Sequence, residues 1–128
     1  MDKLIMCLIP LLIQVESGGQ PNPDSCIGDN GNAVGCLQIW EIVVDDCNRI
    51  QKQEVFTYAD RLSCPRSVRM AQIYLAHYGQ AYERNTGHRA NLEVLARCWN
   101  GGPNGYKKQE TLKYWQKIVK TLTERTEK

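Results

Sequence analysis

The stretch Leu4-Ile5-Met6-Cys7-Leu8-Ile9-Pro10-Leu11-Leu12-Ile13-Gln14-Val15-Glu16-Ser17-Gly18-Gly19 is the one on which the reading of the fold turns. Its apolar run, residues 4–15, is broken only by Pro10 and Gln14 and follows Lys3, so it has the outline of an export signal. No small-x-small cleavage site precedes Glu16, however. The run is also too short to span a bilayer as a helix. Leu8, Leu11, Leu12 and Val15 instead show the i, i+3, i+4, i+7 spacing of a buried helical face. A core helix is expected, with Pro10 in its first turn, where a missing N–H loses no intrahelical bond. Gly18-Gly19 should then close it as a left-handed cap.

The same periodicity recurs downstream. Ile39, Val43, Cys47 and Ile50 predict a second helix, and Ser63-Cys64-Pro65 reads as the start of a third. Val68, Ala71, Leu75, Tyr78 and Tyr82 form its stripe, interrupted at Gly79. Leu92, Leu95, Ala96 and Trp99 make another stripe, ended by Gly101-Gly102-Pro103. The last helix carries Tyr114, Trp115, Ile118, Val119 and Leu122, with Thr111 as its cap. Residues 20–33 are rich in Pro, Asn, Asp and Gly, the composition of a loop or short hairpin. The expected architecture is mainly α (α+β in detail): a helical domain with a small loop or β-hairpin flap.

A chain of 128 residues fits one domain, residues 1–128, around one core. Its 42% hydrophobic and 23% charged residues are those of an ordinary globular protein, and a net charge of +2 is too mild to argue for nucleic acid. Six cysteines (Cys7, Cys26, Cys36, Cys47, Cys64 and Cys98) include no CxxC pair, and His77 and His88 are the two histidines. Zinc ligand clusters are thus missing, and no metal or other cofactor is expected. The cysteines fit disulfides formed in an oxidising compartment, or a set of buried thiols.

Glu16 ends the first apolar stripe beside two glycines that let another segment approach closely. Burial at that junction would disfavour its charged form. A carboxylic acid still protonated near neutral pH can protonate a glycosidic oxygen as the sugar leaves. Taken alone, a glutamate at a helix end is more often a solvated surface residue. Its surroundings supply the context. The chain reads Val15-Glu16-Ser17-Gly18-Gly19, then Ala33-Val34-Gly35-Cys36-Leu37-Gln38-Ile39. Later come Ala96-Arg97-Cys98-Trp99-Asn100-Gly101-Gly102-Pro103-Asn104-Gly105 and Glu110-Thr111-Leu112-Lys113-Tyr114-Trp115-Gln116-Lys117-Ile118. In this order the blocks resemble the soluble lytic transglycosylase (SLT) branch of the lysozyme superfamily. That branch shows a Glu-Ser start, a Gly-Leu-Met-Gln-like turn, an Ala-Tyr-Asn-Ala-Gly-like block and a Glu-Thr-x-x-Tyr-Val-like helix. Asn-Gly-Gly-Pro-Asn-Gly and the following Tyr-Trp also resemble invertebrate-type lysozymes. The resemblance covers roughly residues 8–119.

The resemblance implies a lysozyme-like fold whose flap borders a glycan cleft, lying between the Glu16 helix end, the Asp29 loop and the Asn100 turn. It implies cleavage of bacterial peptidoglycan at the β-1,4 bond between N-acetylmuramic acid and N-acetylglucosamine. Glu16 becomes the general acid, with Ser17 orienting or supporting its carboxylate. Gln38 and Asn100 become cleft amides, able both to donate to and accept from a sugar. Trp99 stands where transglycosylases often have tyrosine, and keeps the aromatic wall without its hydroxyl. Tyr114 matches a tyrosine that reaches toward the acid. Each has a structural reading as well: loop ties for Gln38 and Asn100, core packing for Tyr114 and for Trp40, Trp99 and Trp115. Cys36 occupies a position with no evident role.

Asp29, in Cys26-Ile27-Gly28-Asp29-Asn30-Gly31, falls in a stretch similar to the one where invertebrate-type lysozymes hold their second acid. Facing Glu16 it would serve as nucleophile or base, giving hydrolysis. As an outward turn residue it would leave the sugar's own 6-hydroxyl to close an anhydro ring, the lytic transglycosylase outcome. Asp24, among Pro21, Pro23 and Ser25, is a poorer candidate. A glycan-binding module of the same fold without activity is a further alternative. A thiol hydrolase using His77 or His88 lacks a partner block. The expected partner is the peptidoglycan glycan strand, met by a monomer that inserts in no membrane and acts outside the cytoplasm, secreted or periplasmic. An export signal is not evident in the chain.

Overall fold

Five α-helices and one two-stranded hairpin organise the described part of the computed structural model, residues 1–18, 20 and 22–126. The helices are α1 (Asp2–Ser17), α2 (Glu41–Gln51), α3 (Cys64–Thr86), α4 (Leu92–Gly101) and α5 (Leu112–Thr126). Strands β1 (Ile27–Gly28) and β2 (Ala33–Val34) pair antiparallel, Ile27 opposite Val34 and Gly28 opposite Ala33. The mainly α expectation with a hairpin in residues 20–33 therefore holds. Two compact units result, Met1–Val15 with Leu75–Lys128, and Glu16–Tyr74. In the first, Leu8, Leu12, Leu75, Leu95 and Ile118 are fully buried; in the second, Leu37, Ile39, Val44, Cys47 and Met70 are. No helix among the described residues is long and apolar enough to cross a membrane.

Several local expectations need correction. Pro10 lies in the middle of α1, not in its first turn. Its ring denies the Met6 carbonyl a hydrogen bond, but Pro10 is exposed and Met6 is 68% exposed, so water has access to this side of the helix. Burial of Ile5, Leu8, Ile9, Leu11 and Leu12 on the other side holds the helix continuous. At its end Gly18 has no positive φ. The Gln20 N–H donates to the Ser17 carbonyl at 3.2 Å, and Gly19 lies outside the described residues.

Ile39 belongs to the hairpin rather than to α2. It exchanges two backbone hydrogen bonds with Val34, at 3.0 and 3.1 Å, because Gln38 turns the chain back at φ +50°. Thr111 is fully buried in the 3-10 turn Gln109–Thr111 and is a hydrogen-bond hub rather than a helix cap. Gly79 does not interrupt α3; a Cβ there would crowd Met1 Sδ and Leu95 Cδ2, so it marks a close approach.

Each reading of the cysteines applies to two of them: one disulfide forms, and Cys47 and Cys98 are buried thiols. Cys36 and Cys64 form a disulfide, while Cys7, Cys26, Cys47 and Cys98 are thiols. The Cys47 thiol on α2 donates to the Met70 carbonyl at 3.4 Å. Burial, assisted by the Asp46 charge, pushes its pKa up to about 12. Burial also raises that of Cys98. A protonated, enclosed thiol is a poor nucleophile. Native protein treated with iodoacetamide at pH 8 is expected to label at exposed Cys7 and to spare Cys47 and Cys98 until denatured. Peptide mass mapping reads this out, and rapid native labelling of Cys47 would contradict the packing of α2.

Candidate active site

Glu16 and Ser17 form the last turn of α1, with Glu16 half-buried and Ser17 almost fully enclosed. Ser17 Oγ donates to the Cys36 carbonyl at 2.8 Å, which ties the end of α1 to the turn Gly35-Cys36-Leu37-Gln38. The disulfide to Cys64 holds that turn from the other side, which gives Cys36 its role. Gly35 is required there: its φ is +88°, and a Cβ would overlap the Arg61 carbonyl oxygen.

Gln38 uses both of its amide hydrogens inside the protein. Nε2 donates to the carbonyls of Cys26 at 3.0 Å and Gly35 at 2.9 Å. Its Oε1 occupies the space where a Cβ on Gly28 would sit. The side chain is thus a clamp across the base of the hairpin, and Oε1 is the atom left to meet a ligand.

The clamped hairpin carries Asp29 at its tip. Asp29 is exposed, opens the 3-10 turn Asp29–Gly31 at φ +48°, and is followed by Asn30 at φ +58°. The turn is closed through the main chain, Asn32 N–H donating to the Asp29 carbonyl at 3.2 Å. The Asp29 carboxylate makes no hydrogen bond or ion pair among the described residues. Asp24 is exposed in the 3-10 turn Pro23–Ser25.

The remaining singled-out residues lie in the other unit. Trp99 is half-buried and Asn100 exposed in the last turn of α4, and Tyr114 is buried on α5. The Asn100–Gly105 block is fixed by Arg97, quoted above without a role, together with Thr111, Glu93 and Lys108. Arg97 Nε donates to Thr111 Oγ1 at 2.8 Å, Nη1 to Glu93 at 2.7 Å and Nη2 to the Lys108 carbonyl at 2.8 Å. Thr111 Oγ1 also lies 2.7 Å from the Gly105 carbonyl oxygen. Gly105 packs against the Arg97 carbonyl so closely that a Cβ would overlap it. The i, i+4 pair Glu93–Arg97 was the available signal.

Residues 3–122 match the transglycosylase SLT domain. The chain belongs to the transglycosylase SLT domain family. It is also 32% identical over 120 residues to the invertebrate-type lysozyme of Ruditapes philippinarum, covering 93% of this chain and 79% of that one. A lysozyme of Magallana gigas is 31% identical over 108 residues, 84% of this chain and 72% of its own. Lysozyme 1 of Crassostrea virginica is 29% identical over 119 residues, and this chain spans 54% of its length. Both resemblances read from the motif blocks, to SLT domains and to invertebrate-type lysozymes, are therefore found.

The two polar ties of this SLT domain predict different penalties. Thr111→Val leaves Arg97 Nε and a buried carbonyl without a partner, costing about 1–3 kcal/mol. Gln38→Ala frees carbonyls at a half-buried site that water can reach, and should cost about 1 kcal/mol. Urea denaturation of both variants is expected to rank Thr111→Val as the more destabilising; the reverse order would contradict the burial of Thr111.

Proposed function

We propose that this SLT domain is a hydrolytic muramidase, cutting the β-1,4 bond between N-acetylmuramic acid and N-acetylglucosamine with Glu16 as general acid and Asp29 as second carboxylate. Membership of a transglycosylase family and similarity to proteins named lysozyme make it a peptidoglycan glycosidase. The observation favouring hydrolysis is that the hairpin turn does not use the Asp29 side chain. A structural aspartate in a turn typically bonds its own backbone two residues on. Here the main chain alone closes the turn, and the carboxylate is left for chemistry.

Glu16 gives its proton to the bridging oxygen as that oxygen departs. Glu16 stands in the last turn of α1, and the carbonyl end of a helix disfavours a negative charge. Asp29 then attacks the anomeric carbon or removes a proton from the attacking water, as the sugar passes through an oxocarbenium-like transition state. By the family resemblance, Asn100 and the Gln38 Oε1 are assigned polar contacts to the sugars, Trp99 an aromatic wall, and Tyr114 a supporting hydroxyl. Ser17 acts through the turn it anchors. The disulfide fits an oxidising compartment, so the protein is assigned to the secreted or periplasmic space, acting as a monomer on glycan strands.

A second reading has the muramic 6-hydroxyl replace water, with Glu16 as acid and then base and no part for Asp29; the SLT family match favours it. Mass spectrometry of muropeptides released from purified peptidoglycan separates the two. Hydrolysis leaves reducing muramic ends, and Asp29→Asn should then slow turnover by about 10²–10⁴-fold, with Glu16→Gln at least as severe. Anhydro ends, lighter by one water, with Asp29→Asn largely active, would replace hydrolysis by the lytic reaction. Full activity in Glu16→Gln would overturn the assignment of the acid.

A further inference from the structure

Where the hairpin tip meets the start of α2, within the unit Glu16–Tyr74, lies a groove of about 210 Å³ lined by Gly31, Asn32, Trp40, Glu41, Ile42 and Arg61. Trp40 is 43% exposed and Ile42 72% exposed, whereas the core-facing side of α2 is Val44 and Cys47. The tryptophan is therefore not spent on the core.

Arg61 is held rigidly in the groove. Nε donates to the Tyr58 carbonyl at 2.9 Å, and Nη1 to the carbonyls of Ile39 at 3.2 Å and Asn32 at 3.4 Å. Nη2 faces the exposed Glu41 carboxylate across 3.7 Å, longer than a direct hydrogen bond. A fixed donor and an acceptor thus stand apart beside an aromatic face. Their charges balance, which suits an uncharged polar ligand better than an acidic peptide. A pyranose ring has the matching chemistry: an apolar C–H face for the indole, and hydroxyls that both donate and accept.

We propose that this groove is an additional sugar subsite for the glycan strand, with Trp40 as stacking platform and Glu41 and Arg61 as hydroxyl clamp. The inference rests on the glycosidase reading for its choice of polymer. Gly31 lines the groove and closes the same 3-10 turn that Asp29 opens, so the groove adjoins the turn that carries the proposed second carboxylate.

The test is an NMR titration of full-length ¹⁵N-labelled Glu16→Gln with a linear N-acetylglucosamine tetramer. The Trp40 indole N–H is assigned by its loss in Trp40→Ala. The tetramer is expected to shift that resonance. Trp40→Ala should weaken tetramer binding about tenfold, a change of about 1.4 kcal/mol, and Trp40→Phe should restore most of it. Tetramer binding that leaves the indole unmoved, with equal affinity in Trp40→Ala, overturns the subsite. So does an indole that responds to a free stem peptide and not to the tetramer. Muropeptide release by the wild-type protein separates the two levels. Cleavage with a silent Trp40 sinks the subsite alone, whereas an indole that binds sugar in a protein releasing nothing sinks the glycosidase reading and leaves the subsite standing.

Discussion

Ser17 Oγ donates to the Cys36 carbonyl, and Cys36 is covalently joined to Cys64 at the start of α3. Through these two links one short turn fixes the end of α1, the beginning of α3 and the base of the hairpin. The Gly35 backbone reinforces it, its N–H donating to the Cys26 carbonyl at 2.7 Å while its missing side chain admits the Arg61 carbonyl. Both proposed carboxylates hang from this assembly, Glu16 one residue before Ser17 and Asp29 at the far end of the hairpin that Gln38 clamps. A catalytic pair needs its members held to within fractions of an ångström. A disulfide and a buried hydrogen bond meet that need in a segment with only two short strands of regular pairing.

The other unit solves a similar problem without covalent help. Arg97 spends three of its nitrogens on Glu93, Thr111 and Lys108, and Lys108 Nζ returns a bond to the Gly101 carbonyl at 2.7 Å. The glycine-rich segment after α4 is thereby held by charge-assisted hydrogen bonds, each stronger than its neutral equivalent. The irregular backbone that follows Asn100 and Gly101 can then be ordered even though it has no ladder of its own.

Helices were legible in the sequence because their apolar residues repeat at the helical period, and Leu8, Leu11 and Leu12 are buried as that period requires. What escaped was decided by neighbours distant in sequence. Pro10 reads as a helix start until the burial on both sides of it is known. Ile39 sits on the stripe of α2, yet the left-handed Gln38 delivers it to Val34 instead. Thr111 looks like a cap because a threonine before an apolar stripe usually is one, and only the approach of Arg97 makes it a hub. In the candidate site, the motif order singled out the segments that carry the proposed residues. The work done inside them by Gln38, Cys36 and Ser17 became visible only with the hydrogen bonds, and the exposure of Trp40 could not be read from a residue flanked by apolar neighbours.

Left-handed backbone in residues other than glycine bears on the hairpin's chemistry. Asp29, Asn30, Gln38 and Lys52 all have positive φ. Asp and Asn visit this region more readily than most residues, but glycine would enter it without strain. Lys52 caps α2, its N–H donating to the Arg49 carbonyl at 3.1 Å. Gln38 holds two carbonyls that glycine would leave unbound. For Asp29 there is no such return, because the turn it opens is closed by main-chain atoms alone. A carboxylate carried on a strained, exposed turn, anchored at its base yet excused from structural duty, is what a second catalytic acid requires, and a purely structural turn would be served as well by glycine.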